Sequence, residues 1–306
     1  MKRRDFIIKG VLWGLAAGSL TSLPRISRAV EAVTGADKAC DMVAIKGGEP
    51  DAMFDKAMEA FGGIKRFVKP NQTVVVKPNI GWDVPPERGG NTNPKLVRQI
   101  IKHCLDAGAK EVYVFDHPCD QWAKCYENSG IEQAVKEAGG KIIPAHKEGY
   151  YGDIEIKRGE RLKSAKVHEK VLESDVFINV PILKSHGSAK VTVGMKNHMG
   201  IVWDRGYWHR NDLHQCIADF ATFKRPDLTV IDAYYVMKKN GPRGVSVADV
   251  EVMKSQIIAT DPVAADTAAT RMFGLDPNEV GYIKSAQRLQ VGTMDLSTLA
   301  INKINL

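Results

Sequence analysis

The chain has 306 residues, 44% of them hydrophobic and 26% charged, the balance of a globular protein with one large α/β domain or two small ones. Its formal charge is +7, but Lys2, Arg3, Arg4, Lys9, Arg25 and Arg28 against Asp5 place +5 of that in the first 29 residues, and the remaining +2 argues against a nucleic-acid partner. Cys40, Cys104, Cys119, Cys125 and Cys216 include no C-x-x-C pair, which argues against an iron–sulfur cluster or a structural zinc held by this chain alone.

Arg3-Arg4-Asp5-Phe6-Ile7-Ile8-Lys9 has the form of a twin-arginine export signal. The run from Val11 to Leu23 is short and only mildly apolar, broken by Gly14, Gly18 and Ser19, and Ser27 and Ala29 offer a cleavage point. A run of about 13 residues falls short of a helix crossing a hydrocarbon core of ~30 Å. The expectation is a signal peptide over 1–29, handled by the twin-arginine translocase, and a flexible lead-in over 30–42. A single domain over 43–306, located in the periplasm or outside the cell, completes it. Proteins on this route fold before export, often around a cofactor, which is compatible with one here. No later stretch reads as a transmembrane segment.

Short apolar strands then alternate with helices. A helix is predicted at about 51–61 and a β-branched strand at Thr73-Val-Val-Val-Lys77. A Gly/Pro-rich loop over 78–91 follows. Thr92 is read as the cap of a helix with Pro94 in its first turn and Leu96, Val97, Ile100, Ile101 and Cys104 on its apolar face. Strands are expected at 111–116, 141–145, 176–180, 228–232 and 256–260, and helices at 131–138, 211–223, 262–273 and 278–289, the third of these capped by Asp261. The polar stretch 147–170 reads as a small hairpin excursion. The pattern predicts one three-layer α/β domain, a mostly parallel sheet with helices on both faces.

In such sheets ligands bind beyond the carboxyl ends of the strands. The residues expected there are Lys77 and Asn79, Asp116 and His117, Lys184, Ser185 and His186, Asp232, and finally Asp261 and Asp266. The densest segment runs from Lys184 to Gly200, where Lys184, Lys190 and Lys196 are interleaved with apolar residues, so some of these lysines should be packed with their amines aimed inward. A buried lysine needs a carboxylate or an anionic ligand, and Asp116, Asp232 and Asp266 are the available carboxylates. His186, His198, His209 and His214 fall within 29 residues and offer metal chemistry instead, although the spacing matches no standard zinc pattern. Phosphate-loop, dinucleotide, serine-hydrolase and zinc-protease signatures are absent. Cys119 and Cys125 share what reads as one loop, and an exported protein could oxidise them to a disulfide, a pairing the sequence leaves open, whereas Cys104 and Cys216 read as buried hydrophobes.

Several pieces occur in a fixed order: Val76-Lys-Pro-Asn79, Thr92-x-Pro94, Asp175 through Pro181 into Leu183-Lys-Ser-His186, Val191 to Asn197 with Gly200, Gly241-Pro242, and Asp261-Pro-Val-Ala-Ala-Asp266. In that series the chain resembles the domain-of-unknown-function family 362, over about 43–275. Some members of that family carry an added ferredoxin-type segment; its cysteines are missing here.

Three functional readings follow. The first is an exported enzyme acting on a phosphate- or carboxylate-bearing small molecule. Lys184, His186 and Asp116 would be catalytic in it, with Lys77, Asn79, Lys196, Asn197, Asp232 and Asp266 binding substrate. The second is a protein with a divalent metal or redox cofactor held by His186, His198 and His209, working with a redox partner. The third is a non-catalytic carrier using the same cleft.

Overall fold

The computed structural model describes residues 40–306, so the export signal and most of the lead-in lie outside the described residues. The strands are β1 (Met42–Lys46), β2 (Thr73–Pro78), β3 (Glu111–Val114), β4 (Lys141–Ile142), β5 (Tyr151–Glu155), β6 (Ser164–His168), β7 (Val176–Val180), β8 (Ile182–His186), β9 (Lys190–Thr192), β10 (Leu228–Met237), β11 (Val250–Ala259) and β12 (Ile301–Asn305). The helices are α1 (Pro50–Ala60), α2 (Pro94–Asp106), α3 (Trp122–Asn128), α4 (Ile131–Glu137), α5 (Glu169–Glu173), α6 (Gly194–Asn197), α7 (Arg205–Arg210), α8 (Leu213–Phe223), α9 (Pro262–Phe273) and α10 (Gly281–Arg288).

The main sheet has the order β12-β1-β11-β10-β7-β2-β3-β4, with β8 continuing beside β10 and β9 folding back on β8. Pairing is parallel from β10 through β7, β2 and β3 to β4, and between β1 and β12. Strand β11 is antiparallel to both its neighbours. The fold is thus α/β on a mostly parallel sheet, as the alternation predicts.

Side-chain alternation divides β2 and β7 between two cores. Val74, Val76, Val176, Ile178 and Val180 face α1, α2 and α4, together with Phe54, Leu96 and Ile100. Val75 and Phe177 face the opposite layer, with Met195, Trp208, Phe220 and Ala264. Because successive strand residues point to opposite faces, Lys77 follows Val75 and Asn179 follows Phe177 onto that second face. The two are directly paired in the ladder. The period of two therefore delivers a lysine and an asparagine side by side at the ends of adjacent parallel strands.

Several local expectations change. Asn93, not Thr92, caps α2 by accepting from the Lys95 N–H at 3.0 Å. Thr92 is buried instead, its hydroxyl donating to the Val180 carbonyl at 2.7 Å and accepting from the Asn79 N–H at 2.8 Å. The helix expected over 211–223 is α8, which opens at Leu213 because Asp212 takes a left-handed backbone and caps it through the Gln215 N–H; the short helix α7 before it is not among the expected elements. Strand β1 opens at Met42 within the expected lead-in, and the polar excursion is the β5–β6 hairpin. All five cysteines carry free thiols; Cys125 is buried in α3 and Cys119 is exposed, so the pairing the sequence left open between them is not formed.

The direction of β11 carries the main consequence. Ala259 pairs with Thr229 at the start of β10, so Asp261 leaves the sheet at the edge opposite the carboxyl ends of β2, β3 and β7. Asp261 and Asp266, the residues after β11, do not join the others.

Candidate functional site

Beyond the carboxyl ends of β2 and β3 a cleft of about 580 Å³ opens between the β2–α2 loop, the β8–β9 hairpin and the segment from α6 to α7. Lys77, Asn79, Asp116, Lys184, His186, Lys196, Asn197 and His209 line it. Eight of the expected site residues are therefore brought together.

Asn197 organises the floor. Its Oδ1 accepts from the Lys77 amine at 2.7 Å and from Asn79 Nδ2 at 3.1 Å, while its Nδ2 donates to the Lys77 carbonyl and to Asn179 Oδ1 at 2.8 Å. Lys77 Nζ also stands 3.0 Å from Asp116 Oδ1, both groups being almost completely buried. The other Asp116 oxygen accepts the Ile80 N–H at 2.6 Å, and Oδ1 accepts the His117 N–H at 2.8 Å. The carboxylate is thus satisfied within the fold and fixes the turn after each of two strands. Burial pushes the Lys77 pKa down while the Asp116 charge opposes that fall.

Lys184 and Lys196 have no such partner. Lys184, 1% exposed, donates to the Gly90 carbonyl at 2.6 Å and to Asn79 Oδ1 at 3.1 Å, both neutral acceptors. Its amine lies 6.0 Å from the centre of the Trp82 ring. Lys196, 8% exposed, meets the Met199 sulfur at 3.1 Å. Burial lowers Lys184 to about 7 and Lys196 to about 8, and Lys77 adds repulsion in both cases. One buried carboxylate thus faces three lysines and the Arg205 guanidinium, which also lines the cleft and donates to the His117 and Pro118 carbonyls. The imbalance leaves the cleft with an excess of positive charge.

Histidine 186 is neutral. Burial, with the charges of Lys196 and Lys184, depresses its pKa to about 3, and Nδ1 accepts the Ala189 N–H at 3.1 Å. Its Nε2 therefore carries the proton and is a donor towards the cleft. Its ring stacks against that of His209 with centroids 6.3 Å apart.

Three expectations are corrected. Asp232 is buried behind the cleft wall and accepts the Asn93 and Tyr234 N–H groups at 2.7 and 3.0 Å; burial raises it to about 6. Asp266 is buried under α6, accepting the Gly194 and Met195 N–H groups at 2.7 and 3.0 Å, and burial raises it to about 7. Both anchor backbone and neither lines the cleft. His198 is fully buried between Phe177 and Phe220, with ring centroids 5.8 Å away on either side and neither nitrogen hydrogen-bonded. It does not join His186 and His209, and among the described residues no three His, Cys, Asp or Glu side chains gather to hold a metal ion.

Sequence reasoning did not single out Arg205 or Cys119 as parts of the cleft wall, and it placed Gly200 in the densest segment without a role of its own. Gly200 has a readable reason. A Cβ there would lie 1.7 Å from Asp116 Oδ1 and 2.6 Å from Lys77 Nζ, so only glycine lets the chain pass over the ion pair.

Residues 74–271 match a family described as a domain of unknown function, DUF362. The chain is similar to the thylakoid-associated protein sll1697 of Synechocystis sp., 27% identical over 241 residues that make up 76% of this chain and 72% of that protein. Among solved structures it is similar to the lactate racemase apoprotein of Thermoanaerobacterium thermosaccharolyticum, with 12% identity and a TM-score of 0.47 over 76% of this chain and 57% of that one. It is also similar to a Thermotoga maritima protein from structural genomics, with 12% identity and a TM-score of 0.42 over 79% and 60% of the two chains. The chain spans less than two thirds of either solved protein.

Proposed function

The chain belongs to the DUF362 family, and from its cleft we propose that it is an enzyme acting on a small molecule that carries a phosphate or carboxylate group. The observation that carries this reading is the pair Lys184 and Lys196, buried in one cleft with no carboxylate bonded to either amine. Leaving such cations unpaired is costly unless an anion joins them. In the proposed mechanism Lys196 and Arg205 take the anionic group. Asn79, which keeps one amide N–H and one lone pair unused, orients the remainder; Asn197, its amide fully bonded, holds Asn79 and Lys77 in place, and Lys77, held by Asp116, supplies fixed positive charge to the floor. Lys184, with a pKa near neutrality, takes or returns a proton at the reacting carbon or oxygen. His186 assists as a neutral donor from Nε2 rather than as an acid–base group, since its pKa of about 3 keeps it unprotonated at working pH.

A carrier would use the same cleft, and turnover separates the two. The purified protein is incubated with a mixture of small phosphate esters and carboxylic acids, and the mixture is followed by NMR. Conversion of one component supports the enzyme; retention of one component without conversion supports a carrier; a mixture unchanged and unbound removes the anion reading.

The proposed site of action is the periplasm, supported by the Arg3-Arg4 leader. Replacing both arginines by lysine should retain the full-length precursor in the cytoplasm. Export that continues at the same level would remove the twin-arginine route.

A further inference from the structure

Lys184 sits on β8, paired with Thr192 of β9 and Met237 of β10, so its backbone is held on both sides by sheet. Its amine has three defined directions: the bond to Cε, the hydrogen bond to Gly90 O at 2.6 Å and the one to Asn79 Oδ1 at 3.1 Å. A neutral amine has two N–H donors, and these two acceptors use both. The fourth tetrahedral position is then a lone pair; in an ammonium it would be an N–H with no acceptor bonded to it. Around the amine stand the Lys77 and Lys196 cations, which with burial favour the uncharged form, against the Asp116 carboxylate and the Cys119 side chain. Desolvation beside another cation is the established way of making a lysine nucleophilic. The fall of its pKa to about 7 agrees with this geometry.

We propose that Lys184 captures the carbonyl carbon of an anionic aldehyde or keto compound as a covalent imine, with Lys196 and Arg205 holding the anionic group. The idea rests on the anion-binding reading of the cleft and narrows its substrate class. The Lys184 nitrogen lone pair attacks the carbonyl carbon, forming C–N as the C=O π pair moves to oxygen, and one amine proton passes to that oxygen. The carbinolamine then loses its hydroxyl together with the second amine proton as water, while the nitrogen pair forms the C=N bond. No oxidant, reductant or further reactant is required.

The test uses glyoxylate, the smallest anionic aldehyde, with cyanoborohydride, whose hydride reduces an imine to a stable secondary amine. The full-length protein is labelled at pH 7 with limiting glyoxylate and mapped by peptide mass spectrometry. Lys184 should be modified at least 10-fold faster than exposed lysines such as Lys190 and Lys303, with labelling rising through pH 7 rather than near pH 10. Inorganic phosphate should slow it, and Lys184→Arg should abolish it. Slow labelling of Lys184 in a protein that phosphate still stabilises against heat would overturn the imine and leave the anion cleft standing. Fast labelling that phosphate does not affect would overturn the anionic part of the proposal. Labelling absent and phosphate without effect would remove both. The pH profile of the unmodified protein gives the answer even if Lys184→Arg fails to fold.

Discussion

Asp116 Oδ1 stands 3.0 Å from Lys77 Nζ, with 3% and 1% of the two side chains exposed, and the same carboxylate holds the Ile80 and His117 N–H groups. One acid therefore neutralises a buried cation and ties the loops after β2 and β3 together. Asp116→Asn keeps the shape, removes the charge and leaves Lys77 buried among neutral partners. Breaking one side of a buried pair costs about 3–5 kcal/mol, reduced where the lysine sheds its proton. Urea unfolding of the variant should show a loss in that range. A loss below about 1 kcal/mol would mean the ion pair is not what holds this corner.

Gly200 tests the same corner from the other side. A methyl group there would collide with both members of the pair, so Gly200→Ala must push them apart or displace the α6–α7 segment. Overpacking of this kind costs about 1–3 kcal/mol. Thermal unfolding should report the loss together with weaker phosphate binding. Unchanged stability would show that the segment yields freely.

What could be read from the sequence, and what could not, follows from the physics of each signal. Alternating side chains put Lys77 on the face of Val75, and apolar interleaving marked Lys184 and Lys196 as packed; both are local properties. Strand direction is not local. The 256–260 run looks the same whether β11 runs up or down the sheet, and its antiparallel course sent Asp261 to the far edge. Asp232 and Asp266 are acids of the right type near the right elements, yet their oxygens are taken by backbone N–H groups, which no residue pattern reveals. His198 is close to His186 in sequence, but the turn after α6 directs it into the core between two phenylalanines. Arg205 and Cys119 enter the cleft only through tertiary packing.

Lys196→Met should separate binding from stability. The amine's nearest polar contact is the Met199 sulfur, and methionine has a similar length without the buried charge. Replacing an unpaired buried ion by an isostere is neutral or stabilising, by roughly 1 kcal/mol or more. Calorimetric titration with phosphate should meanwhile show at least a 10-fold weaker association. Lower stability with binding intact would make Lys196 a structural residue.

Stability should rise from pH 7 to pH 9. Burial depresses Lys184 to about 7 and Lys196 to about 8 in the folded chain, while both titrate near 10.4 when unfolded. Across this window the unfolded state binds more protons, so the free energy of unfolding increases with pH. The two lysines contribute roughly 3–4 kcal/mol to that increase. It is lost as pH falls back through the folded values. From about pH 8, where unfolded thiols begin to ionise, the buried thiols of Cys104, Cys125 and Cys216, raised by burial to about 12, about 12 and about 11, work in the opposite direction and offset much of the rise. Saturating phosphate should flatten the curve, because a bound anion keeps the lysines protonated. Guanidinium unfolding at half-unit steps checks this; a steady fall from pH 7 to pH 9 would contradict the depressed lysines.

Cys119 gives access to the cleft from outside. It is an exposed free thiol in the cleft wall, whereas Cys104, Cys125 and Cys216 are buried and Cys40 is partly covered. Native alkylation with iodoacetamide, followed by peptide mapping, should modify Cys119 first. An anion seated against Lys196 and Arg205 occupies the space over that thiol, so phosphate should slow its alkylation severalfold while leaving Cys40 unaffected. Equal slowing at both positions would be a general salt effect, and no slowing at Cys119 would place the anion elsewhere.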